Sequence, residues 1–400
     1  MIKNFINVIL LKQGKRGLSL FLAIFCAISF SFGNDALAKS NTAAANSVTY
    51  SFVFFGCNRL NKEGAKATES ESTANVAQLR QSFQDIANLS KMPRYVFLGG
   101  DIVKAKKPGT KVLSKQLNAW VKLANDPQQN PLLNTKVRLV ALTGNHELLI
   151  NQEDGDNCKY AQCPNPPAYT FWQKFMGKKS NNFIVGKNGP KKGGKDALLD
   201  NESKLSYSFR NKDMKFIILN TDTQIDKDTI GDVPLNWLQK ELKKAQNDVR
   251  IHHVFVMGHK PLLSNKNPNS DPSGDRTIRS EQAGAFHALL NNPSGDGSPS
   301  KVRAYLAAHA HEWNYAPKLT VDNLTGTIPQ IIAGNGGSPP NSSWTGEHAY
   351  FGYTLIEISD NGTVTAKSYG RPIGNPYYEQ QVSASTLRAT HILYSPPTWD

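Results

Sequence analysis

Residues 94–101 read RYVFLGGD and residues 137–147 read VRLVALTGNHE, and these two stretches decide the fold. Each is a short apolar run, rich in aromatic and β-branched side chains, that stops at glycine and then at a polar residue. Such a run suits a buried strand whose tip carries the chemistry. The same pattern stands earlier, at residues 48–59 (VTYSFVFFGCNR), with Cys57, Asn58 and Arg59 at the tip. Between these runs the apolar period changes. Val76, Leu79, Phe83, Ile86 and Ala87 recur at three and four, as do Leu113, Leu117, Trp120, Val121 and Ala124, which predicts two helices with one buried face each. Strand, helix, strand, helix, strand implies parallel pairing, and the 44 residues from Cys57 to Asp101 and again from Asp101 to Asn145 leave room for each crossover. All three tips then lie on one sheet edge, where open α/β sheets bind ligands.

The pattern continues downstream. His253–Met257 runs into Gly258-His259-Lys260, and Arg303–Ala307 runs into Ala308-His309-Ala310-His311. Helices are expected after Pro234 (Leu235, Leu238, Leu242, Ala245) and around Ala283, Phe286 and Leu289. Residues 205–210 and 215–220 read as a hairpin, as do 350–358 and 362–369. Pro329–Ile332 leads into a Gly-rich loop, 333–337, that suits close backbone approach. Residues 148–204 lose periodicity and read as an elaborated surface insertion with helical character only near 169–176. No element is assigned beyond Arg371, so a single main domain is expected over 49–371 and a C-terminal tail over 372–400.

Collected together, the tips supply Cys57, Asp101, Asn145, His146, His259, His309 and His311, all side chains with atoms that can bind metal or protons. A lone histidine is more often structural. Five tips in order are not, and His309 with His311, at i and i+2 of an ending strand, share one face. In this order the motifs GD, GNHE, GH and HxH resemble the calcineurin-like metallophosphoesterase superfamily over about residues 49–370.

That resemblance implies a four-layer α/β/β/α sandwich of two mixed sheets and two metal ions sharing the Asp101 carboxylate. It implies Asn145, His259 and His309 as further ligands of one ion, and His311 with the first tip as ligands of the other. His146 is expected to face the scissile ester and assist the leaving oxygen, with Glu147 holding its ring. The first tip departs from the family's D-x-H and reads Cys57-Asn58-Arg59. A cysteine ligand there resembles the alkaline phosphatase D and purple acid phosphatase-like branches and would suit iron or zinc. The tyrosine those branches carry three residues after the GD aspartate is Lys104 here. Arg59 could clamp a phosphate oxygen, with Asn58 and Asn145 beside it, or could pair with a carboxylate. The expected activity is hydrolysis of phosphate mono- or diesters by a metal-bridging hydroxide, with iron, zinc or manganese as candidate metals. The alternative is a non-catalytic metal- or phosphate-binding envelope protein with an impaired second site. Trp313, Trp344, His348 and Tyr350 could frame a pocket, although aromatics more often pack.

The remaining features set the context. The chain has 400 residues, with 46 Lys and Arg against 32 Asp and Glu, a net charge of +14 that favours anionic partners. Phosphorylated small molecules or polymers fit this charge, and no nucleic-acid module accompanies it. Lys3, Lys12, Lys15 and Arg16 precede an uncharged run from Leu18 to Phe32 and an Ala36-Leu37-Ala38 site, the layout of a signal peptide over 1–38, with a linker over 39–48. The run is short for a membrane span. An exported, periplasmic or secreted protein is expected, without a span once the signal is removed. Its loss leaves +11, so the basic character persists. In an oxidising compartment Cys158 and Cys163 are expected to pair locally, and Cys57 is left alone. The oligomeric state is not encoded in any of these signals.

Overall fold

The computed structural model describes residues 46–60, 76–151, 161–264, 271–344, 348–373 and 382–397. The expected signal peptide, most of the linker, and Cys158 lie outside the described residues. Cys163 is disulfide-bonded and Cys57 is a free thiol.

Strand alternation explains the layering. In β1 (Val48–Phe55), Phe52 and Phe54 point into one cluster while Val53 and Phe55 point into another. β2 (Tyr95–Leu98) and β3 (Arg138–Ala141) pair in parallel beside it. The face of Val53, Phe55, Val96 and Leu98 packs on α1 (Val76–Ala87) and α2 (Lys111–Ala124), through Leu79, Phe83, Leu117 and Trp120. The opposite face meets a second sheet. There β7 (Met214–Ile218), β8 (His253–Met257), β9 (Val302–Ala307) and β13 (Gln330–Ala333) run parallel, flanked by antiparallel β6 (Tyr207–Asn211) and β10 (Trp313–Ala316). Phe216 and Phe255 join Phe52 between the sheets, while Ile217, Val254 and Val256 face α5 (Leu235–Asn247) and α6 (Ser280–Asn291). Both faces of each sheet are thus covered, which is why the parallel strands read as continuous apolar runs. The expected four-layer α/β/β/α arrangement of two mixed six-stranded sheets is what the chain forms.

Three readings change. Within the insertion, the helical character expected near 169–176 is α4 (Pro166–Met176), which buries Trp172, whose Nε1 donates to Thr143 Oγ1 at 2.9 Å, but the sequence did not signal the pairing of β4 (Leu149–Asn151) with β5 (Gln162–Pro164). The domain does not stop at 371, because β16 (Thr386–Tyr394) pairs with β15 (Val364–Pro372), which pairs with β14 (Tyr350–Ser359) to complete the first sheet. β16 was illegible because an edge strand keeps much of its side-chain surface in solvent, so its apolar pattern is diluted. A small hairpin of β11 (Leu319–Val321) and β12 (Leu324–Gly326) also lacked a sequence signal.

Candidate metal centre

Every tip residue singled out lies at the carboxyl end of a parallel strand, and the two sheets bring those ends together. Cys57 follows β1, Asp101 follows β2, Asn145 and His146 open the four-residue α3 (Asn145–Leu148) after β3, His259 follows β8, and His309 and His311 follow β9. The chain turns sharply there. Cys57, Arg59, Asp101, His309 and His311 have φ of 61°, 51°, 55°, 61° and 50°, the left-handed region that non-glycine residues seldom occupy. Local backbone strain of this kind collects at functional sites. The glycines make room: a Cβ at Gly144 would lie 2.3 Å from the Asp101 nitrogen, and one at Gly336 would lie 2.3 Å from the Gly56 oxygen. The Gly-rich loop after β13 therefore does approach closely, and Ser338 Oγ donates to the Cys57 carbonyl at 2.6 Å.

Four acceptor atoms converge. His259 Nε2 lies 3.2 Å from Asp101 Oδ1, 3.0 Å from Asn145 Oδ1 and 3.1 Å from His309 Nδ1. His259 Nδ1 sits 2.7 Å from the Gly99 carbonyl and so carries its proton, which leaves Nε2 a bare lone pair. Asn145 Nδ2 donates outward to Gln162 Oε1 at 2.8 Å, so its oxygen faces inward. Turned over, the amide nitrogen would donate to the same three inner atoms. Asn145 can thus serve the cluster as acceptor around a cation or as donor without one. Acceptors spaced at 3.0–3.2 Å suit one cation with bonds of about 2.0–2.2 Å. The first of the two expected metal sites therefore fits.

The electrostatics agree with this. Burial alone would raise the Asp101 carboxyl, but His146, His259 and Arg59 outweigh it and hold it well below the usual range. Burial pushes His146, His309 and His311 well below the ordinary imidazole value, so their rings are neutral and able to bind metal. Burial first, and then the Asp101 charge, raise the Cys57 thiol.

Several expected roles change. Of the two roles open to Arg59, pairing with a carboxylate is in place: its Nε and Nη2 both donate to Asp101 Oδ2 at 3.1 Å, and Arg59 also lines the cavity above the cluster. Asn58 is buried with its Nδ2 on the Gly336 carbonyl at 2.8 Å, so it braces the loop rather than facing the pocket. Glu147 does not hold the His146 ring. It accepts from the backbone N–H groups of Asp101, Val103 and Gly144, at 3.0, 3.2 and 2.9 Å, while His146 Nδ1 is held by the Lys104 carbonyl. The His146 Nε2 lies 3.8 Å from Asp101 Oδ2 in a side chain only 6% exposed. Cys57 groups with Asp101 and His259 within 4.8 Å. His311 donates from Nδ1 to the Pro339 carbonyl at 2.8 Å, and its buried Nε2 has no hydrogen-bond partner. The aromatic frame is packing: Trp313 lies against Tyr350 and His391, and Trp344 against Tyr350.

A cavity of about 520 Å³ opens over the cluster, lined by Arg59, Lys104, Lys106, Asn145, Gln162, Arg276, His309 and His311. Burial, with Arg59 adding to it, lowers Lys106 to about 8. Arg276 and Gln162 carried no signal in sequence, because Arg276 reaches the cavity from a loop and Gln162 from the short strand β5, neither with a motif of its own.

Residues 72–313 match the calcineurin-like phosphoesterase family. Among solved structures the chain resembles the structure of PhoD, with a TM-score of 0.55 and 12% identity, covering 87% of this chain and 70% of that one. It is also similar to a dimetal phosphatase from Danio rerio, with a TM-score of 0.45 and 13% identity over 81% of this chain and 97% of that one. No curated protein sequence matches it. At these identities the structural likenesses speak to fold alone.

Proposed function

The chain belongs to the calcineurin-like phosphoesterase family, and on that premise we propose that it is an exported hydrolase of phosphate mono- or diesters. One observation carries the reading: Asp101 Oδ1, Asn145 Oδ1, His259 Nε2 and His309 Nδ1 bring four lone pairs together beneath a basic cavity. Those four residues would hold a divalent cation. When bound, such an ion supplies Lewis acidity toward a phosphoryl oxygen and lowers the pKa of water toward neutrality.

The chain's own groups do the rest. Lys104, Lys106 and Arg276 line the mouth and favour a dianionic or polyanionic ester over a neutral one. Gln162 and Lys106 sit against the outer side of the Asn145 amide, Gln162 accepting from it, and fix the ligand's orientation from the substrate side. The neutral His146 ring is pinned by the backbone carbonyl of Lys104, a residue that also lines the cavity. Export is supported by the basic, apolar, A-x-A order of residues 1–38. No described helix is long and apolar enough to cross a membrane.

The test is hydrolysis of nitrophenyl phosphate and bis(nitrophenyl) phosphate with manganese, iron or zinc. Activity that is lost to a chelator and restored by metal supports the reading, and full activity in Asp101→Ala rejects it. The engagement of Arg59 with Asp101 favours a second reading, a metal- or phosphate-binding protein without turnover. Binding of phosphate with no hydrolysis of either ester under any metal would select it.

A further inference from the structure

Asp101 divides its two oxygens between different partners. Oδ1 faces the four-atom cage and accepts from the His146 backbone N–H at 3.0 Å. Oδ2 takes both Arg59 nitrogens. The backbone builds this contact in: Cys57 N–H donates to the Gly100 carbonyl, Arg59 N–H to the Asp101 carbonyl at 2.8 Å, and Leu60 N–H to the Ile102 carbonyl. These bonds carry the parallel pairing of β1 and β2 past the strand ends, so the ladder that positions the first tip also sets Arg59 opposite Asp101.

The second cation expected at Cys57, Asp101 and His311 does not fit this arrangement. A metal on Oδ2 would need to sit about 2.0–2.2 Å from that oxygen, in space the guanidinium holds at 3.1 Å, and it would face a permanent positive charge. The other donors are placed accordingly. Cys57 accepts a hydrogen bond from the backbone N–H of His309. His311 Nε2 keeps a free lone pair.

We propose that the Arg59 guanidinium takes the place of the second cation, so that each chain holds one metal ion in the cage and a fixed organic positive charge beside it. The inference rests on the phosphoesterase reading only for the existence of the cage. Two of Arg59's five N–H groups are spent on Asp101, and Arg59 also lines the cavity, so the remaining N–H groups can meet an oxygen of a bound phosphate. One side chain then does two jobs, neutralising the carboxylate and receiving the anion. The free Nε2 of His311 becomes a hydrogen-bond acceptor at the same wall.

The test counts metal. Full-length protein saturated with zinc and then desalted is expected to retain one zinc per chain, and Arg59→Lys also one. Arg59→His, which puts an imidazole where the guanidinium was, is expected to retain two. With cobalt in place of zinc, a sulfur-to-cobalt charge-transfer band from Cys57 is expected only in Arg59→His. Two zinc ions in the wild type or in Arg59→Lys overturn the proposal, and so does a single zinc in Arg59→His that circular dichroism shows to be folded. If Arg59→His does not fold, the wild-type and Arg59→Lys counts decide. No zinc in the wild type removes the cage and this inference together. One zinc with no hydrolysis of any ester keeps the inference and removes the phosphoesterase reading.

Discussion

The carboxylate of Glu147 lies 3.0 Å from the backbone nitrogen of Asp101 and accepts its hydrogen bond, so a side chain from the third tip holds the loop of the second. The same carboxylate also satisfies Val103 and Gly144. Truncation in Glu147→Ala strands three N–H groups. We expect a loss of at least about 3 kcal/mol in urea unfolding, at roughly 1–3 kcal/mol for each buried unpaired group. Metal affinity should fall about 10–100-fold, as for other groups that support ligands. Isothermal titration with zinc reads the second effect, and an unchanged affinity would show that the Asp101 loop holds itself.

Phe52 bridges the sheets. Its ring meets Phe97 of its own sheet at 5.4 Å and Phe216 and Phe255 of the other at 5.3 and 4.8 Å, all edge to face. Phe52→Ala is expected to cost about 3–5 kcal/mol, measured by the denaturant midpoint. A cost under about 1 kcal/mol would mean the inter-sheet layer relaxes around the hole.

Glu202, which is not one of the tip residues, predicts a pH signature of its own. Buried, with Asn220 Nδ2 donating to it at 2.9 Å, it is pushed up to about 7 by burial. Between its unfolded value near 4.5 and about 7, the folded chain binds the extra proton. Stability from this group is therefore present at low pH and falls as pH rises across that window, by up to about 1.4 kcal/mol per pH unit. In Glu202→Gln that slope should flatten. Parallel stability curves for the two proteins between pH 4.5 and 7 would refute the assignment.

The cavity's cations should act on binding more than on turnover. Arg276→Ala is expected to raise KM for a phosphate ester about tenfold, or about 1.4 kcal/mol, with little change in kcat, and to weaken the salt dependence of kcat/KM. An unchanged KM would place Arg276 outside the substrate's reach despite its position on the cavity wall.

Much of this protein was legible before folding was considered. β1, β2 and β3 could be read because a parallel strand covered on both faces is a nearly unbroken apolar run, and α1, α2 and α5 because one buried stripe recurs at helical spacing. The tip residues could be read because each run stops at glycine and a polar group. Arg59 is the instructive case. Its type left an anion clamp and a carboxylate partner both open, and which carboxylate it meets, Asp101, 42 positions away, is chosen by a β ladder that no local pattern reveals. Glu147 failed for a related reason: proximity in sequence to His146 suggested a contact, whereas the turn of α3 aims it at the backbone of another strand.

Sequence alone therefore determined the order of strands and helices and the inventory of donors at the strand ends, because burial of apolar surface and the two backbone periods act locally. Tertiary structure alone decided how those donors are shared. That Asp101 sets one oxygen against His259 and Asn145 of the cage and gives the other to a guanidinium, and that residues 386–394 finish a sheet, depends on atoms made neighbours by packing, at distances of a few ångströms that chain separation does not encode.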